Sequence, residues 1–194
     1  LGVKTQKVGE EQVKALLEEN SISTPFVLWV GTIEPRKNIP TLLQAMQQIP
    51  EIPLVLVGPK GWESDLKSAI KPIGERVKII GEVDEVTKHI WYKAASVFCF
   101  PSLMEGFGLP IAEAMSQGTP VVTSATTATS EVAGDAALLI DPKSSDAIAE
   151  SIKEILGKPE TAKELGEKGL ERAKKMTWED TALATADIYR EVVS

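Results

Sequence analysis

The strongest chemical signal in the chain is a glycine-rich bend flanked by two glutamates, Pro101-Ser-Leu-Met-Glu-Gly-Phe-Gly-Leu-Pro-Ile-Ala-Glu113. Gly106 and Gly108 leave backbone N–H groups open to a ligand. Pro110 suits the first position of a helix, where no N–H is needed. A helix N-terminus behind two glycines is a ready cradle for an oxyanion or a diphosphate. Glu105 precedes the bend and Glu113 falls in the first turns of the helix, so the two carboxylates can face one cavity from two heights. The plainer alternative is that Glu113 complements the helix dipole and Glu105 is a loop carboxylate. A second element, Gly31-Thr-Ile-Glu-Pro-Arg-Lys-Asn38, sets Arg36 and Lys37 in a loop that feeds another helix N-terminus. Arginine offers a fork for phosphate oxygens and lysine a point charge. The same pair serves equally well as solvated loop cations beside Glu34.

Other chemistries find no support. His89, the single histidine, sits mid-helix without a nucleophile or metal-ligating partner, and a structural or surface role fits it best. No nucleophile elbow follows Val83, so no Ser-His-Asp arrangement can be assembled. No Asp-x-Asp or His/Cys cluster suggests a bound metal. The Gly-x-Gly-x-x-Gly fingerprint of dinucleotide sites and the Walker-type Gly-Lys-Ser/Thr element are both missing. Gly58 and Gly81 permit tight turns but also simply end strands, and Trp62 reads as a partly exposed residue covering the core. A net charge of −7 disfavours nucleic acid, which calls for a basic face. The lone Cys99 lies in an apolar run, excludes a disulfide framework and suits a reducing, cytoplasmic setting. No apolar stretch approaches the roughly 20 residues that span a bilayer, and no signal peptide is evident.

The elements that position these residues follow a rhythm. Phe26–Val30, Leu54–Val57, Val77–Ile80, Val97–Phe100, Pro120–Thr123 and Ala136–Ile140 are short apolar runs, several closed by glycine or proline. Amphipathic segments alternate with them: Asn38–Ile49 with Asn38 as its cap, Ser64–Ile73, Asp84–Ala95 capped by Asp84, and Pro110–Gln117 ended by Gly118. A short helix over Glu10–Asn20 precedes this series. From Ser144 onward the chain is helical, with breaks expected near Pro159 and Thr177. Strands that are apolar throughout and alternate with helices predict an α/β fold, a doubly wound Rossmann-like parallel sheet with helices on both faces. Three closing helices exceed one crossover and predict packing against something outside the sheet. The expected division is a linker and short helix over 1–24 and a nucleotide-binding domain over 25–194.

These motifs taken in order resemble the donor-binding half of retaining GT-B glycosyltransferases of family 4. The residues that carry the resemblance are Val30–Asn38, Phe98–Ser102, Glu105–Met115, Glu131-Val-Ala-Gly-Asp135 and the ending Thr177–Ala182 with Ile188–Val192. Together they run from about Phe26 to Val193. The resemblance implies one half of a GT-B fold that binds a nucleotide-diphosphate sugar, without further cofactor or metal, and moves a hexosyl group, with mannosyl as one instance. It implies that Glu113 bonds the ribose hydroxyls and that Glu105 faces the sugar and its reacting carbon. Arg36 and Lys37 would hold the diphosphate, with backbone N–H groups of the Gly106-Phe107-Gly108-Leu109 bend, and Val83 would receive the base through its backbone. Two positions depart from the family: Thr32 stands where many members carry Arg, and Ala125 with Thr126–Thr129 where members often have Asn and Pro. The family's acceptor-binding N-terminal domain has no counterpart here. With the Leu1 start, that reads as a piece of a longer protein whose acceptor can lie at a membrane surface. The piece alone is expected to bind nucleotide weakly and to transfer no sugar. Half of a GT-B-fold sugar-nucleotide epimerase and a non-catalytic nucleotide-binding module are the alternatives.

Overall fold

A computed structural model describes residues 2–3, 6–61 and 66–193 of the 194-residue chain. Each apolar run becomes a short strand: β1 (Val27–Val30), β2 (Leu54–Val57), β3 (Val77–Gly81), β4 (Val97–Phe100), β5 (Val121–Ser124) and β6 (Ala137–Ile140). They form one sheet in the order β3-β2-β1-β4-β5-β6, with every neighbouring pair parallel. This is the doubly wound order: the direction in which successive strands are added reverses between β1 and β4, which opens a crevice beyond their carboxyl ends.

Sequence explains the layering. Every residue of β1, β2, β4 and β5 is buried, as strands covered on both faces require. The expectation of uniform burial fails at the rims, where Ile79 of β3 is 45% exposed and Leu139 of β6 is 41% exposed. An edge strand has a neighbour on one flank only, so its side chains reach solvent despite an apolar sequence.

The helices are α1 (Glu10–Glu19), α2 (Ile39–Gln47), α3 (Leu66–Ile70), α4 (Glu85–Ala94), α5 (Leu109–Ser116), α6 (Ala128–Ala133), α7 (Ser145–Gly157), α8 (Pro159–Ala173) and α9 (Trp178–Val193). The contacts of α2 with α3 and α7 define one face, and those of α4 with α1 and α5, and of α5 with α6 and α8, define the other. Asp84 caps α4 as expected, its Oδ1 accepting from Thr87 N at 2.9 Å. Gly118, at φ 72°, ends α5: its N–H reaches Met115 O while Thr119 N reaches Ala114 O. The breaks fall at Pro159 and just before Trp178. The expected start of α3 at Ser64, and Trp62, lie outside the described residues. Helix α6 went unpredicted because six residues carry too little periodicity and Thr127 before it gives no side-chain cap. Helix α9 has no buried residue, and Leu183, Ile188, Tyr189 and Val192 are exposed.

An aromatic chain locks α4 to the sheet. Phe26 meets Trp91 edge-on at 6.1 Å, and Tyr92 meets Phe98 edge-on at 5.2 Å. Cys99 is wholly enclosed in β4, and burial pushes its thiol far up, so it is no nucleophile. Among the described residues no helix is long and apolar enough to cross a membrane.

Candidate functional site

The crevice is built backbone first. A Cβ placed on Gly58 would lie 2.0 Å from Gly31 O, and one on Gly61 would lie 2.0 Å from Ile33 O. The turns after β1 and β2 therefore pack main chain against main chain, which no side chain would allow. Beyond Gly31 the chain runs to a 3-10 turn over Pro35–Lys37 and then into α2. Its neighbour across the reversal is the segment after β4, and Leu103 N donates to Arg36 O at 2.8 Å to hold the two together.

Asn38 performs the joining. It occupies the N-cap position of α2 as expected, but in the left-handed region at φ 59°, and its side chain does not cap. Instead Nδ2 donates to Pro101 O at 3.0 Å and to Pro142 O at 2.6 Å, while Oδ1 accepts from Thr41 Oγ1. One amide thus ties together the chain ends beyond β1, β4 and β6. Asparagine is among the few residues that tolerate this backbone.

That fastening sets Arg36 and Lys37 against Glu105. Lys37 Nζ lies 2.6 Å from Glu105 Oε1, and Arg36 NH1 lies 3.0 Å from Oε2. The Lys37 and Glu105 side chains are each 8% exposed, whereas that of Arg36 is 46% exposed. Arg36 also pairs through Nε with Glu34 at 2.9 Å. Lys37 Nζ stands 4.7 Å over the Phe100 ring, whose face adds a further attraction for the cation. The two alternatives for this pair are thereby separated: Lys37 is no solvated loop cation, and Arg36 is half one.

The bend past Glu105 ends at Gly108, the N-cap of α5, with φ 99°. Helix α5 begins at Leu109, so Pro110 takes its second position rather than the first, a place that still lacks an intrahelical acceptor. The bend leaves Gly106 with open space on its Cβ side. Glu113, one turn further, faces α4. Its Oε1 accepts from Lys88 Nζ and its Oε2 from the Tyr92 hydroxyl, both at 2.9 Å. Burial pulls Lys88 down, but its hydrogen bonds with Glu85 and Glu113 outweigh this and hold it above the usual lysine range. Burial and the Glu113 charge push Tyr92 well up, so the phenol stays a donor.

A cleft of about 340 Å³ opens here, lined by Gly31, Thr32, Val83, Lys88, Leu109 and Glu113 among others. Val83, Leu109 and Glu113 are thus brought to one surface. Lys37 adjoins it, since its Cε lies 3.8 Å from where a Cβ on Gly31 would stand. Gly106 and Phe107 instead line a second cleft of about 290 Å³ with Ala128 and Arg172. Thr32 at the wall confirms that no cation follows Gly31 directly. His89 is buried and packs on Gln117, away from the cleft lining. Among the described residues, no three His, Cys, Asp or Glu side chains gather as a metal site. The joining role of Asn38 and the parts played by Lys88 and Tyr92 escaped sequence reasoning. The only available signal was the four-residue spacing of Lys88 and Tyr92, which puts both on one helix face.

Comparison with known proteins fits this geometry. The model of the Glycosyl transferases group 1 family matches residues 13–172. O-antigen chain mannosyltransferase B of Escherichia coli is 41% identical over 173 residues, 85% of this chain and 45% of that protein. Sucrose-phosphate synthase from Thermosynechococcus elongatus superposes with a TM-score of 0.83 at 34% identity, over 93% of this chain and 49% of that one. The Anabaena protein HepE, solved with UDP and glucose, gives a TM-score of 0.86 over 100% of this chain and 55% of its own, and at 21% identity it speaks for the fold alone. The chain therefore spans about half the length of the relatives it matches. Sheet order, crevice and family match agree, and the chain belongs to the group 1 glycosyl transferases.

Proposed function

We propose that this chain is the donor-binding half of a retaining glycosyltransferase that takes a hexosyl group, of the mannosyl type, from a nucleoside diphosphate. The observation that carries this reading is the meeting of Arg36 and Lys37 with Glu105 across the β1–β4 reversal, beside the N-terminus of α5. Two cations and a helix N-terminus at one place favour a diphosphate. The base would rest on the Val83 backbone and the ribose hydroxyls on Glu113. The diphosphate would meet the bend over Gly106, Phe107, Gly108 and Leu109, with Arg36 and Lys37 turning toward it. The E. coli mannosyltransferase supports the sugar class.

Chemistry then follows from charge. The bond from the anomeric carbon to the β-phosphate oxygen breaks, and its electron pair stays on the phosphate. Cations turned onto the phosphate stabilise that growing charge more in the transition state than in the ground state. An acceptor hydroxyl bonds to the same face of the anomeric carbon and passes its proton to the departing phosphate oxygen. Glu105 faces the positive anomeric centre and stabilises it. The acceptor would be held by a second, preceding domain, and the exposed apolar side of α9 is suited to cross toward it.

A thermal-shift screen against UDP, GDP and ADP and their sugars tests the donor site, because a ligand of the folded state raises the melting temperature by mass action. The expected result is a shift with one base. Flat melting curves throughout reject a donor site. In the complete protein, Glu105→Gln should lower turnover on the order of a hundredfold, and unchanged turnover removes Glu105 from the mechanism.

A further inference from the structure

We propose that Tyr92 and Lys88 are positioning residues that hold the Glu113 carboxylate ready to accept both ribose hydroxyls of the nucleotide. The proposal rests on Glu113 being the ribose acceptor. It adds what makes that carboxylate selective for ribose.

An ionised carboxylate offers about four lone-pair sites. In this structure one site on each oxygen is already taken, on Oε1 by Lys88 Nζ and on Oε2 by the Tyr92 hydroxyl. One site per oxygen is left, matching two adjacent hydroxyl donors. Glu113 keeps 15% of its side chain exposed and lines the cleft, so the remaining sites adjoin open space. A carboxylate kept only for the architecture would have no reason to border a cavity.

The two donors are themselves fixed. Tyr92 is wholly buried, its ring set edge-on against Phe98, and its carbonyl accepts from Thr119 Oγ1 at 2.6 Å. Lys88 is shared with Glu85 at 2.9 Å and is only 18% exposed. Both come from α4, four residues apart, so they reach Glu113 as one rigid face. The carboxylate therefore pays little rotamer entropy when nucleotide binds, and its orientation is set beforehand. Lys88 supplies charge compensation, while Tyr92 supplies direction, because a buried phenol on a packed ring has a single place to donate.

Calorimetric titration of the chain with UDP, GDP and ADP, each beside its 2′,3′-dideoxy form, separates the outcomes. The native chain should prefer the ribose form of its nucleotide by about a hundredfold, as two charge-assisted hydrogen bonds require. Tyr92→Phe should reduce that preference to about tenfold while leaving dideoxy affinity unchanged. Lys88→Met should compress it in the same way, and Lys88→Arg, which keeps a donor, should restore it. If the native chain favours ribose and both Tyr92→Phe and Lys88→Met favour it equally, the positioning role is wrong and Glu113 acts unaided. If the native chain binds ribose and dideoxy forms alike, or binds neither, the ribose role of Glu113 falls and takes this proposal with it. Lys88 is partly exposed, so its variants keep the test decisive should Tyr92→Phe fail to fold.

Discussion

Glu105 and Glu113 are alike in sequence, each a glutamate beside the same bend, and each is held by two donors. They differ in what holds them. Glu105 is gripped by two cations from one short turn, Lys37 buried and Arg36 half in solvent. Glu113 is gripped by one cation and one neutral phenol from the face of a helix. The first arrangement concentrates charge in a loop, and an arriving anion can draw its cations away. The second stores orientation in a packed scaffold, and an arriving hydroxyl uses lone pairs left over. A diphosphate site needs the first kind of construction and a sugar-hydroxyl site the second.

Lys37→Met should break the first cluster most severely. It removes the cation at 2.6 Å and leaves a carboxylate only 8% exposed. A buried pair stripped of one partner costs about 3–5 kcal/mol, and because Arg36 remains, a loss of about 2 kcal/mol is expected in urea denaturation. Adding Glu105→Gln removes the stranded charge and should recover much of that loss. A double variant no more stable than Lys37→Met would mean the cluster is not coupled, and the contrast with Glu113 would lose its basis.

Arg36→Ala sharpens the comparison from the solvent side. Its guanidinium is half in solvent and Lys37 still pairs with Glu105, so stability should drop by less than about 0.5 kcal/mol. Nucleotide affinity should fall about tenfold, as loss of a charge-assisted hydrogen bond predicts, and its dependence on salt should flatten. An affinity unmoved by the substitution would mean that Arg36 serves Glu34 and Glu105 alone.

Much of this was legible from the chain. Six apolar runs gave six strands, because a fully covered parallel strand needs no alternation that could be misread. The positions of Pro159, Asp84 and Gly118 gave helix limits, since each acts on its own backbone. The two glutamates and two cations were visible as residue types near strand ends. Their partnerships were not. Lys37 with Glu105 spans 68 positions and Tyr92 with Glu113 spans 21, and only the strand order brings them together. Asn38 illustrates the limit. Its identity suggested a cap, yet two distant chain ends compete for its amide, and tertiary partners won over the local role. The open rims of β3 and β6 were missed for the same reason, since neighbours rather than composition decide them.

His89 offers the smallest effect and places it on the Glu113 side alone. The ring is buried on α4, and Gln117 Nε2 sits 3.1 Å from its Nδ1 while also donating to Gln6 O. That geometry needs Nδ1 to accept, so protonation would set two donors face to face. Burial lowers the pKa of His89; Glu113 opposes the shift, Lys88 adds to it and Glu85 opposes it again. In the unfolded chain the ring protonates near 6.5. As pH falls below that value the unfolded state takes up a proton that the folded state refuses. Stability present above pH 6.5 is therefore lost as the pH drops toward the lower folded value. The loss should be a small one. It should vanish in His89→Gln, which keeps a polar group toward Gln117 but cannot titrate. Melting curves at pH 7.0 and 5.5 for the two chains measure it. An equal drop in both would place the acid-sensitive group elsewhere. A larger drop in the native chain would tie the α4–α5 contact, and with it the seating of Glu113, to the protonation of one ring.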